Sequence, residues 1–113
     1  MAALTTNTVP LTGLRFDNLL AAVNASDDCE AGAGVYLVVK NGNASACTVT
    51  VAAPELLDGD LVIGSRTVSV PATVGYTIIP ITQRYRSAAT GRATVTYSVT
   101  ATVTACVIKT AVL

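Results

Sequence analysis

Histidine is absent from the 113 residues of this chain. That removes the commonest general base, the Ser/His and Cys/His nucleophile pairs and most transition-metal sites. Two acidic groups remain, Asp27-Asp28 with Glu30, and Asp58 with Asp60. Carboxylates are hard oxygen ligands, so either group could hold a cation. Neither has the ligand spacing of a calcium loop. As a glycosidase-type acid/base pair they lack both a rigid frame and aromatic sugar platforms. Solvated loop carboxylates are the expected reading. The chain has no G-x-x-x-x-G-K-[ST] and no G-x-G-x-x-G, and Gly32 and Gly34 act as loop punctuation. The expectation is a non-enzyme with no cofactor and no metal.

Cys29, Cys47 and Cys106 are odd in number and lack C-x-x-C spacing. That argues against a disulfide framework and against a zinc site. Cys47 shares parity with Val49 and Val51, so it reads as a small buried hydrophobe.

Recognition is the chemistry left to the chain. Arg84-Tyr85-Arg86, with Arg92 nearby, combines residue types favoured at interface centres. An arginine fork also matches a carboxylate on a neighbouring protein. The simpler alternative is a solvated turn between two strands. All seven carboxylates fall within residues 1–60, alongside only Arg15 and Lys40, a net −5. Residues 61–113 carry Arg66, Arg84, Arg86, Arg92 and Lys109 without a carboxylate, a net +5. Such asymmetry can steer copies, or a copy and its host surface, into register. Five basic residues give little support to nucleic-acid binding.

The elements that must hold these residues are strands. From Thr94 to Val107 every odd position from Val95 is apolar or aromatic, and every even position to Thr104 is a hydroxyl residue. This is the period of β-structure with one buried face. The parity never flips, so either one strand spans the segment or a turn of odd length breaks it. Strands average five or six residues, and the expectation is a three-residue turn at Val99–Ala101 pairing Tyr97 with Val103. Val95, Tyr97, Val103, Ala105 and Val107 should then face one core.

Elsewhere, Val35–Lys40 and Ala46–Ala52 flank the turn signal Asn41-Gly42-Asn43 and read as a hairpin. Leu61–Ile63 and Thr67–Val70 read as short strands. Tyr76–Ile81 reads as an edge strand, because Pro80 cannot donate to a ladder. Asn24–Gly34 reads as a loop, and residues 16–24 have the apolar spacing of a short helix. Residues 1–16 read as an extended N-terminal arm, Thr-rich and interrupted by Pro10, ahead of a single β-domain over 17–113. The fold expected is all-β, a small sandwich or barrel of about seven or eight short antiparallel strands.

Apolar residues are 51% of the chain, aromatics only 4% and charged residues 12%. A Val-, Ala- and Thr-rich core gives less burial per side chain than one of Leu and Phe. Such apolar excess suggests burial against partners. The apolar run Val35–Val39, which none in the chain exceeds, is far below the roughly 18 residues of a membrane span. Met1-Ala-Ala-Leu-Thr-Thr lacks the basic and apolar regions of a signal peptide, so synthesis and use without export are expected.

The motif order carries a family resemblance. It runs Leu11-Thr-Gly-Leu14, Tyr36-Leu-Val-Val-Lys-Asn-Gly42, Thr48-Val-Thr-Val51, Val68-Ser-Val-Pro71, Ile78-Ile-Pro80, Ala93-Thr-Val-Thr-Tyr-Ser98 and Val103-Thr-Ala105. It resembles small structural proteins encoded among the head genes of tailed bacteriophages. Ala72-Thr-Val-Gly75 and Ile79-Pro-Ile81 depart from that pattern. The resemblance implies a capsid decoration or minor capsid protein, located on the virion surface and reinforcing contacts between major capsid subunits. Its partners would be the major capsid protein and further copies of itself, as a trimer or dimer. Leu4, Val9, Leu11, Leu14 and Phe16 of the arm, with Arg84, Tyr85, Arg86 and Arg92, are the candidate partner-binding residues. The alternatives are a head–tail junction or tail protein and, from another class, a bacterial surface or carbohydrate-binding β-module.

Overall fold

A computed structural model describes residues 2–52, 56–57, 61–62, 65–87 and 91–110. The Val- and Thr-rich segments form strands because β-branched side chains fit a pleated, half-buried surface. In chain order the strands are β1 (Ala2–Ala3), β2 (Thr6–Val9), β3 (Ala21–Ala22), β4 (Ser26–Cys29), β5 (Val35–Asn41) and β6 (Cys47–Val51). They continue with β7 (Leu56–Leu57), β8 (Leu61–Val62), β9 (Arg66–Val70), β10 (Gly75–Pro80), β11 (Ala93–Tyr97) and β12 (Val103–Thr110). Sheet I has the order β1-β4-β11-β6-β9. Sheet II has the order β10-β5-β12-β2, and β3 also pairs with β12. β7 pairs antiparallel with β8, apart from these two sheets. The class is an all-β sandwich, whose two sheets bury one shared core of Val, Leu, Ile and Ala with Cys29, Cys47, Tyr85 and Tyr97.

The long period-two segment is broken where a turn was expected, but its halves do not pair. β11 lies in sheet I between β4 and β6, whereas β12 lies in sheet II beside β5. The connection over 98–102 is an arch between sheets. Parity survives because the odd positions of β11 face inward from one sheet and those of β12 face inward from the other. Val95, Tyr97, Val103, Ala105 and Val107 are all buried in the one core, as the pattern predicts. The expected Tyr97–Val103 pairing is corrected for a physical reason: parity fixes which side of a strand faces the core but not which sheet the strand joins, and β11 and β12 face each other across the core from different sheets.

The same correction applies to the expected hairpin at 35–52. β5 is in sheet II, between β10 and β12, and β6 is in sheet I, between β11 and β9. A third arch, over 71–74, links β9 to β10. The three arches meet at one end of the sandwich around two asparagines. Asn41 is fully buried. Its Nδ2 donates to the carbonyls of Ser45 (3.0 Å) and Val70 (3.2 Å), and its Oδ1 accepts from the Asn43 N–H at 2.9 Å. Asn43 Nδ2 donates to the Ala101 carbonyl (3.0 Å), and its own carbonyl accepts from the Thr73 N–H (2.8 Å). The Gly42 N–H reaches the Thr102 carbonyl (3.0 Å). A short amide side chain is suited to this, since it supplies both donors and an acceptor to backbone groups where the chain turns between sheets.

Three further expectations change. The apolar spacing over 16–24 yields only a 3-10 turn at Phe16–Asn18 with no buried residue, followed by β3. A one-turn helix without a buried face has little to hold it. The expected loop over 24–34 contains β4, whose Asp27 and Cys29 point inward. The N-terminal arm is not confirmed. Residues 2–9 are extended, but β1 pairs in parallel with β4 in sheet I and β2 in parallel with β12 in sheet II. The first segment therefore laces one edge of the sandwich together, which satisfies backbone groups that a free arm would leave to solvent.

Candidate functional site

At the end opposite the asparagine arches, β4, β11 and β12 deliver their charged residues side by side. Arg92 is half-buried. Its Nε lies 3.3 Å from an Asp28 carboxylate oxygen. Its guanidinium also donates to the carbonyls of Leu4 (3.0 Å) and Asp28 (3.3 Å). It thus pins the point where the chain leaves β1 for β2. Lys109 pairs with Glu30 at 3.4 Å. Asp27 is fully buried and accepts from the backbone N–H and side-chain amide of Asn24, each at 3.3 Å. The first acidic group is therefore corrected from solvated loop carboxylates to one buried carboxylate and two ion-paired ones. Asp58 and Asp60 lie outside the described residues.

Tyr85, expected at an interface, is buried, and Arg66 lies over its ring at 5.5 Å. Arg84 and Arg86 on either side are exposed. Arg66, Gln83, Arg84 and Tyr85 line an open hollow of about 450 Å³. Arg86, Lys109, Glu30 and Gly91 line another of about 270 Å³. Among the described residues no three His, Cys, Asp or Glu side chains converge as a metal site would require. All three cysteines are buried thiols. Burial pushes Cys29 up to about 11, away from the thiolate that nucleophilic chemistry needs. Burial also raises Cys106. Tyr97 is raised as well, first by burial and then by the neighbouring Asp27 carboxylate.

The outer face of sheet II is the more unusual surface. Ladder register sets its side chains in rows: Tyr76–Lys40–Thr104, Ile78–Val38–Cys106 and Pro80–Tyr36–Ile108. Val38 and Cys106 are buried although they lie outside the main core cluster. In the same rows Ile78 is 61% exposed and Tyr76 54%, and Phe16 beside Tyr76 is 39% exposed; Leu11 (84%) and Val74 (77%) are exposed as well. Phe16 meets Tyr76 edge-to-face at 6.4 Å, and Lys40 lies 5.5 Å from the same ring. Isolated exposed apolar residues are ordinary, but a contiguous set marks an interaction surface.

The structure divides the candidate residues. Leu11 and Phe16 are exposed, and Phe16 joins the apolar face. Leu4, Val9 and Leu14 are half-buried, and Leu4 packs against the core. Arg84 and Arg86 are available at the charged end, whereas Tyr85 and Arg92 are engaged within the domain. The sequence reading missed Val74, Tyr76 and Ile78. Their signal was the unbroken apolar run Ile78-Ile-Pro-Ile81 on an edge strand, where alternation would have put polar residues outward.

No helix among the described residues is long and apolar enough to cross a membrane. Comparison with known proteins found no family model that matches the chain and no curated protein or solved structure significantly similar to it.

Proposed function

We propose that this chain is a non-enzymatic structural protein of a tailed-phage virion, a decoration protein on the outside of the capsid shell. The observation that carries the reading is the exposed apolar surface of sheet II with Phe16 packed against its Tyr76, together with the exposed Leu11. A free-standing domain gains nothing from such a surface. A domain gathered on a host lattice buries it, and the folded state is stabilised by mass action. The motif order resembling phage head proteins supplies the host, and Arg84 and Arg86 supply cations for carboxylates on the shell.

The test uses shells assembled without the protein. Purified chain added to them should bind in hundreds of copies, in proportion to major capsid subunits. A Leu11→Glu, Phe16→Ser double variant, both positions being exposed, should keep its fold and lose shell binding. Unimpaired binding by that variant would remove the apolar face from the interface. Binding in only about a dozen copies would favour a head–tail junction role instead.

A further inference from the structure

β10 is the outer strand of sheet II, with β5 its only ladder partner among the described residues. Natural edge strands are usually guarded by charge, by shortness or by a bulge. β9, the edge of sheet I on the same side, begins with Arg66, and the opposite edges are made of segments of two to four residues. β10 is six residues long, Gly-Tyr-Thr-Ile-Ile-Pro, with no charge anywhere in it. Only Pro80, at its last position, limits pairing.

The register shows which backbone groups are unused. The Ile81 N–H donates to the Val35 carbonyl at 2.9 Å. Antiparallel ladders alternate hydrogen-bonded and non-bonded pairs. Counting back in twos, Ile79, Thr77 and Gly75 direct their backbone groups to β5. Tyr76 and Ile78 direct theirs away from it, to the side on which no strand among the described residues pairs with β10.

We infer that β10 pairs with β10 of a second copy about a two-fold axis at Thr77. Tyr76 then faces the partner's Ile78, and the two exchange both N–H···O bonds. The symmetric pair repeats this, giving four hydrogen bonds. Pro80 falls opposite the partner's Val74 and ends the ladder. Across the junction the apolar row Cys106–Val38–Ile78 continues into the partner's Tyr76, so the outer faces of both sheets II become one surface. Like charges directly opposite one another destabilise a pairing of a strand with its own copy, and β10 carries no charge to place there in any register, whereas β9 carries Arg66. The inference stands apart from the shell reading, since it concerns the free protein.

The experiment is the mass of the full-length protein in solution, by light scattering or sedimentation over a wide concentration range. The wild-type chain should reach the mass of two copies. Ile78→Lys, at an exposed position, should remain folded and lose the dimer, because it sets charge against the apolar junction. Thr77→Cys supplies a second readout. In the two-fold register its partner is the same residue in a non-bonded pair, with Cα atoms about 4.5 Å apart, within the range of a disulfide. Mild oxidation should therefore give a covalent dimer, with the native buried thiols of the wild-type chain giving none. A wild-type chain monomeric throughout, a trimer, an undiminished dimer in Ile78→Lys, or no cross-link in Thr77→Cys would each overturn the pairing. A wild-type chain that dimerises but does not bind shells would count against the decoration reading and leave this one standing.

Discussion

Asn41→Ala should be among the most damaging single changes outside the hydrocarbon core. The side chain is fully buried and makes three hydrogen bonds to backbone groups of the arches, at 3.0, 3.2 and 2.9 Å. A net hydrogen bond contributes about 1 kcal/mol, and a buried group left unpaired costs about 1–3 kcal/mol. Alanine removes all three bonds, so the expected loss is about 3 kcal/mol. Against a total of about 5–15 kcal/mol for a typical domain, this is a large fraction. Urea unfolding should show the midpoint falling with an unchanged slope, because the surface exposed on unfolding is the same. Asn43→Ala, whose side-chain bonds are exposed, should cost only about 1 kcal/mol. Asn41→Asp keeps an acceptor for the Asn43 N–H but turns a carboxylate toward two carbonyls. Its folded pKa is then raised, so its stability is greatest below the unfolded value and is lost as pH rises through the folded one. A loss below about 1 kcal/mol in Asn41→Ala would refute the reasoning and show that packing alone holds the arches.

Three other outcomes follow from the structure. In Gly75→Ala the new Cβ would run into the Pro71 carbonyl oxygen and nitrogen, which are backbone atoms and cannot rotate away; unfolding should show a loss of at least about 2 kcal/mol. Arg92→Ala removes an ion pair and two carbonyl bonds, so amide exchange across residues 2–9 should accelerate more than in β5 or β12, and equal acceleration everywhere would argue against a local clamp. The Cys29 thiol rises from 9.0 to about 11 on folding, so its contribution is intact below pH 9 and is lost between there and about 11. Tyr97 shifts the same way. Cys29→Val should therefore flatten the alkaline fall in stability measured by denaturant titration, and an unchanged alkaline limb would show that the thiol is not its source.

The sequence by itself determined the class of fold and the composition of the core. Period-two alternation fixes which side of a strand is buried whatever its neighbours are, so Val95, Tyr97, Val103, Ala105 and Val107 could be assigned to one interior. The edge position of β10 was likewise legible, because a proline without an N–H cannot lie in a central ladder. Parity is blind to which sheet a strand joins. A hairpin and an arch give the same pattern of inward residues, and only the tertiary structure placed β5 with β12 and β6 with β11. The same held for the first segment: Thr-rich and broken by Pro10, it reads as extended, but that it laces both sheets depends on edges offered by β4 and, far later in the chain, by β12.

The candidate surfaces divide the same way. Leu11, Phe16, Arg84 and Arg86 stand exposed, as residue types at loops and termini suggest. Tyr85 and Arg92 do not, because whether a Tyr or Arg is spent inside the domain depends on partners distant in sequence, here Arg66 and Asp28. The acidic run Asp27-Asp28-Glu30 shows this most sharply. Its composition said loop, yet Asn24, Arg92 and Lys109 arrive from three places in the chain to satisfy it. Local pattern decides which way a side chain points, and long-range pairing decides what it meets there. The outer face of sheet II, with Ile78 and Tyr76 exposed beside buried Val38, exists only once three distant strands lie in register.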